Sequence, residues 1–145
     1  MNKPIGKLDK KIIKLLGLAY KEGQPIILGD ANIAHMQRQH SEDFAKYGKD
    51  IKNIIANPTY VAKNPNQDSI EYIKEYKIDN EFVLVAVRRS SKGNLFARTL
   101  FTMTHKKINT YLKNGYAKKY QWLIKNFNIM LEKKLNVCYY NISIK

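Results

Sequence analysis

Three histidines and one cysteine, Cys138, are the only imidazole and thiol metal ligands in the chain. His35 and His40 stand five residues apart, about 140° around a helix, whereas a zinc pair on one helix needs a spacing of four. No metal site is expected. Gly23 and Gly29 are isolated, so no glycine-rich loop is present to cradle a nucleotide phosphate, and no Gly-x-Ser-x-Gly elbow occurs. The residues that remain suit RNA cleavage without metal or cofactor, in which a 2′-hydroxyl attacks the neighbouring phosphate. That reaction needs a base for the hydroxyl, an acid for the leaving 5′ oxygen, and donors for the charge that builds on phosphorus. Histidine suits either proton role, and arginine grips phosphate with two parallel hydrogen bonds. The chain supplies His35 and His40, then Arg88, Arg89 and Arg98, with Thr102, Thr104 and Tyr72 as neutral donors.

Each of these residues has a structural alternative. His35 on an amphipathic helix can simply pack. Arg98 shares a strand parity with Phe96 and Leu100, where an unpaired guanidinium would be costly, so it needs an anion: Glu71 or Glu75, or a bound phosphate. Glu71 is then either an ion-pair partner or a general base. The ten tyrosines could stack on bases, but most, Tyr47 and Tyr111 among them, fall at core spacings.

The elements that must position these groups follow from periodicity. Residues 7–21 place Leu8, Ile12, Leu15, Leu16 and Ala19 on one helical stripe, with lysines opposite. Ile26-Ile27-Leu28 reads as a short buried strand, and Asp30 as the N-cap of a helix that carries His35 and ends near His40. Residues 42–56 are helical again, divided at Gly48 and stopped by Asn57-Pro58. From Thr59 the period becomes two, giving a strand with Glu71, Glu75 and Lys77 on a wet face. An Asp79-Asn80 turn leads to residues 82–87, apolar on both parities and so a central strand. A turn at residues 90–94 opens a third strand, 95–104, followed by a short helix over 106–114 that bears Lys106 and Lys107. A longer helix is expected through Leu131, with a final strand or tail over 136–145. Helices first and an antiparallel meander second make an α+β domain in which helices cover one sheet face and leave the other available.

The chain has 145 residues, the size of one domain. Its hydrophobic fraction of 44% and charged fraction of 26% fit a folded protein and exclude disorder. A lone cysteine excludes an internal disulfide and fits a reducing compartment. The apolar run 12–20 is interrupted by Lys14 and lacks a cleavage site, and no stretch has the roughly 20 apolar residues of a membrane span. The expected location is cytoplasmic. Net charge is +14, yet residues 82–145 carry 13 Lys and Arg against the single acid Glu132. Solubility alone predicts no such asymmetry; a face that binds a polyanion does.

Residues 26–36, with the run from Ile26 through Gly29-Asp30 to His35-Met36, then His40, and residues 54–61 around Asn57-Pro58-Thr59-Tyr60, resemble the opening of the phage Barnase–EndoU–colicin–RelE-like nuclease domains. The likeness continues through Ser69-Ile70-Glu71-Tyr72-Ile73, residues 83–88 and residues 95–101, covering roughly 25–116 as a nuclease-like core within one domain. Residues 117–145 are expected to form a basic C-terminal helix and tail outside it. The resemblance implies the Barnase–EndoU–colicin–RelE-like fold of helices followed by an antiparallel sheet, and a metal-independent, toxin-like ribonuclease activity. Its histidines match His35 and His40, its third-strand arginine matches Arg98, and a hydroxyl near the strand end matches Thr102.

The leading expectation is an endoribonuclease without cofactor. His35, His40, Arg98, Thr102 and Glu71 form its catalytic set, and Arg88, Arg89, Lys106, Lys107 and Tyr72 bind RNA. RNA, including tRNA, is the expected partner, an immunity or antitoxin protein is a candidate one, and no membrane is implied. The rival is a catalytically silent RNA-binding or interaction module of a mobile-element protein, for which the same basic face suffices.

Overall fold

An edge strand precedes the segment that periodicity reads as the first helix. In the computed structural model, which describes residues 2–120, β1 (Lys3–Lys7) pairs antiparallel with β2 (Pro25–Leu28). The helix expected over 7–21 shrinks to α1 (Lys10–Leu16). Asp9 starts it by accepting from the Ile12 amide at 2.8 Å, and Gly17 ends it in the left-handed conformation at φ 62°, so both ends are set by cap chemistry that the apolar stripe does not report.

α2 (Asp30–Gln39) starts one residue earlier than expected, because Gly29 is the N-cap and the Asn32 side chain accepts from its amide at 2.9 Å. Asp30 therefore lies in the first turn, where a carboxylate meets the positive end of the helix dipole. His40 closes α2 with a non-helical backbone and leads into α3 (Ser41–Tyr47). The division at Gly48 is a single tight turn, Gly48–Asp50, before α4 (Ile51–Ala56) ends ahead of Asn57-Pro58.

The remaining elements are β3 (Tyr60–Lys63), β4 (Ser69–Tyr76), β5 (Glu81–Arg89), β6 (Leu95–Met103), α5 (His105–Lys113) and β7 (Ala117–Lys119). Among the described residues the strands, β1 and β2 included, form a seven-stranded sheet in the order β1-β2-β6-β5-β4-β3-β7. β4, β5 and β6 are the expected meander, with Asn80 at φ 54° in the first hairpin. Among the described strands only β2 and β6 pair in parallel. The domain is α+β. Ala117–Lys119, the start of the expected C-terminal helix and tail, is instead strand β7, paired with β3; the rest of that helix, the segment 136–145 and Cys138 lie outside the described residues.

Three expectations about faces need correction. Helices occupy both sides of the sheet: α1, α3 and α4 bury Ile12, Tyr47, Ile51 and Ile54 against Val83, Val85 and Leu100, while α5 buries Ile108 and Tyr111 against Ile73, Leu84 and Ala86 on the other. β4 has no wet face over Ser69–Ile73, because β3 and β5 flank it and both faces are covered. The parity shared by Phe96, Arg98, Leu100 and Thr102 is broken by a bulge: Val87 pairs with Ala97 but Ala86 pairs with Thr99, so Arg98 is the extra residue. Beyond the bulge, Leu100 faces the larger helical core and Met103 the α5 side.

Candidate active site

One row across the sheet organises the site. Ala62, Glu71, Ala86 and Thr99 are consecutive cross-strand partners on β3, β4, β5 and β6. Two methyl groups flank the Glu71 carboxyl, so the sheet surface dips between it and Thr99, about 10 Å away across two strand spacings. α5 roofs one end of this trough and α2 borders the other. The resulting half-open cavity has a volume of about 610 Å³.

Its lining joins an acid, two histidines and a set of cations. His35 and His40 both reach it from α2, despite their angular separation on an ideal helix, because His40 has already left the helix at φ −142°. The His40 ring lies 5.4 Å from the Phe101 ring, tilted by 31°. Arg88, two residues along β5 from Ala86, donates to Gln67 Oε1 in the β3–β4 loop. Lys107 sits on α5 with its Nζ 4.9 Å from the centre of the Phe101 ring and 6.0 Å from that of Tyr111. Arg98 is exposed at the bulge and, among the described residues, has no hydrogen-bond or ion-pair partner. The bulge explains how an arginine is tolerated here: the guanidinium leaves the sheet at the cavity rim and is not pressed between Phe96 and Leu100.

Glu71 is the chemically distinctive member. It is only 4% exposed, and its Oε1 is buried without a hydrogen-bond partner. Burial pushes its carboxyl above the ordinary carboxylate range, opposed by hydrogen bonding from Tyr111, the charge on Lys107, hydrogen bonding from Asn64 and the charge on Arg88. The result is a carboxyl that holds its proton more tightly than a surface glutamate does, beside groups that attract phosphate. Among the described residues, no three of His, Cys, Asp and Glu are grouped as metal ligands.

The family model described as phage-Barnase-EndoU-ColicinE5/D-RelE like nuclease3 matches residues 2–110. The chain belongs to this nuclease family. The match takes in β1 and α1, ahead of the segment where the motif likeness begins, and reaches into α5. No curated protein and no solved structure matches the chain. Family membership supports a nuclease function and a nucleic-acid substrate. No helix among the described residues of this nuclease-family chain is long and apolar enough to cross a membrane.

Of the site residues expected from sequence, the fold brings His35, His40, Glu71, Arg88, Arg98 and Lys107 into one cavity. Others lie elsewhere. Thr102 is committed to α3, with its hydroxyl donating to Asp43 Oδ1 at 2.8 Å and its amide to Oδ2 at 2.9 Å. Thr104 caps α5 by accepting from the Lys107 amide. Tyr72 is fully buried in the larger core, its hydroxyl without a partner among the described residues. Arg89 lies 5.2 Å over the Tyr20 ring, away from the cavity. Lys106 is exposed on α5 but does not line the cavity. Sequence reasoning missed Thr99, Phe101, Asn64, Gln67 and Asn32, all of which do. The adjacent polar pair Arg98-Thr99 inside an alternating strand was the available signal, since two successive polar residues break a strict period of two.

Proposed function

We propose that the protein is a metal-independent endoribonuclease with a Barnase–EndoU–colicin–RelE-like fold. The observation that carries this reading is the buried, unpartnered Glu71 oxygen at a cavity whose other ionisable lining residues are two histidines and three cations. Glu71 takes the proton from a ribose 2′-hydroxyl. The freed oxygen bonds to phosphorus, the bond from phosphorus to O5′ breaks, and protonated His35 or His40 gives its proton to O5′. A 2′,3′-cyclic phosphate and a 5′-hydroxyl result. Arg98, Arg88 and Lys107 offset the charge on the phosphorane, and the Thr99 hydroxyl is placed to orient a phosphate oxygen over Ala86. RNA, tRNA among the candidates, is the substrate of this reading, with an immunity or antitoxin protein as a candidate partner. The lysines of α5, Lys106 included, extend the positive surface beyond the cavity along a strand of RNA.

The test is incubation with total RNA in EDTA, followed by end-group analysis. Fragments ending in 2′,3′-cyclic phosphate are expected, with loss of at least about 100-fold in folded His35→Ala and Arg98→Ala proteins. Equal cleavage by those variants would overturn the proposal. Binding that weakens steeply with salt and is never accompanied by scission would instead favour the silent RNA-binding module.

A further inference from the structure

A buried carboxyl that serves as a base needs something to hold it aimed and ionised. Three observations single out one neighbour. Tyr111 is 6% exposed and belongs to the core cluster of Ala62 and Ala86, the two cross-strand partners of Glu71, and it interacts with the Glu71 carboxyl. Its hydroxyl accepts from Asn64 Nδ2 at 3.3 Å, so the oxygen is engaged while its single hydrogen remains to be donated. Lys107 lies one turn earlier on the same helix, so α5 brings a hydroxyl and a cation to the same end of the trough.

We propose that Tyr111 is a positioning residue for Glu71: its hydroxyl, held from one side by Asn64, donates its hydrogen to the Glu71 carboxyl and keeps it facing the cavity. The proposal rests on Glu71 as the base of the reaction above. The groups that face this carboxyl are Tyr111 and Lys107 from α5, Arg88 from β5 and Asn64 from the β3–β4 loop, with His35, His40 and Arg98 across the cavity. Lys107 and Arg88 favour the ionised form through charge alone. Tyr111 is the one neighbour that combines burial with a directed donor, and burial raises its own proton affinity so that it remains a donor throughout the working pH range.

The experiment is a carbon-13 titration of the Glu71 carboxyl in the full-length protein, run beside the pH profile of RNA cleavage. Tyr111→Phe keeps the ring and removes the donor. The carboxyl midpoint and the acidic limb of the rate profile are both expected to rise, by about one pH unit, with a roughly tenfold loss of rate on that limb. Asn64→Ala, which frees the tyrosine hydroxyl, moves both in the same direction by less. An unchanged carboxyl midpoint in a folded Tyr111→Phe protein overturns the proposal, and a purely packing role for Tyr111 gives that result. A midpoint that rises while the acidic limb stays put supports the hold of Tyr111 on the carboxyl and overturns Glu71 as the base.

Discussion

Replacing Glu71 with glutamine separates the two roles open to that residue. Glutamine has nearly the shape of the protonated acid but carries no charge at any pH. The raised carboxyl means that the folded protein binds this proton more tightly than the unfolded chain does. Below the ordinary carboxylate range both states are protonated, so wild type and Glu71→Gln should be equally stable. As pH rises through the unfolded and then the folded value, the unfolded state ionises first and the wild type loses stability, and that loss persists at neutral pH. An unsatisfied buried polar group costs about 1–3 kcal/mol. Lys107, Arg88, Tyr111 and Asn64 offset part of it, which places the gain for Glu71→Gln near the lower end, about 1 kcal/mol at pH 7. For a chain of this size that corresponds to about 3–5 °C in Tm. Cleavage should fall by about 10²–10⁴-fold with the loss of the base. Urea and thermal unfolding at pH 7 and pH 3.5, beside the RNA assay, measure all three quantities. A variant less stable than wild type at pH 7, or a stability difference that does not change with pH, would refute the reasoning and make Glu71 a structural ion-pair partner.

Ala86→Leu pushes a larger side chain into the cavity between Glu71 and Thr99; cleavage should drop by at least about tenfold, chiefly through KM, in variant protein shown to be folded, because a one-ångström misplacement is already costly to catalysis. Thr102→Val removes the hydroxyl that donates to Asp43 and should cost about 1–2 kcal/mol in urea unfolding while leaving cleavage unchanged. Loss of cleavage in a folded Thr102→Val protein would return that residue to the site. Tyr72→Phe deletes a buried hydroxyl without a partner among the described residues, so stability should be equal or up to about 1 kcal/mol higher. RNA affinity, measured by filter binding, should not move, and weaker binding would contradict the placement of Tyr72 in the core.

Where periodicity was strong, local structure was legible. The break at Gly48, the stop at Asn57-Pro58, the hairpin at Asp79-Asn80 and the central strand at residues 82–87 all depend on neighbours in the chain. Errors gathered where a distant partner decides. β1 and β3 are short strands that exist because β2 and β4 accept their hydrogen bonds. β4 looked half wet because its polar residues alternate with apolar ones, yet α5, over 30 residues later in the sequence, covers the face that holds Glu71.

The sequence by itself determined the inventory of the site: two histidines on one segment, an acid on the second face of a strand, arginines at the meander, and a charge bias toward the C-terminal half. It also determined the order in which the meander strands are laid down. The tertiary structure alone decided which of those groups meet. A one-residue slip of register at Arg98 exchanges the faces of every later residue on β6, sending Thr102 to Asp43 and Thr99 to the cavity. The local trace of that slip is the polar pair Arg98-Thr99, and only pairing with β5 turns it into a bulge. The same holds for Glu71: its residue type makes it acidic, but the packing of α5 over small neighbours buries it, and burial changes its proton affinity.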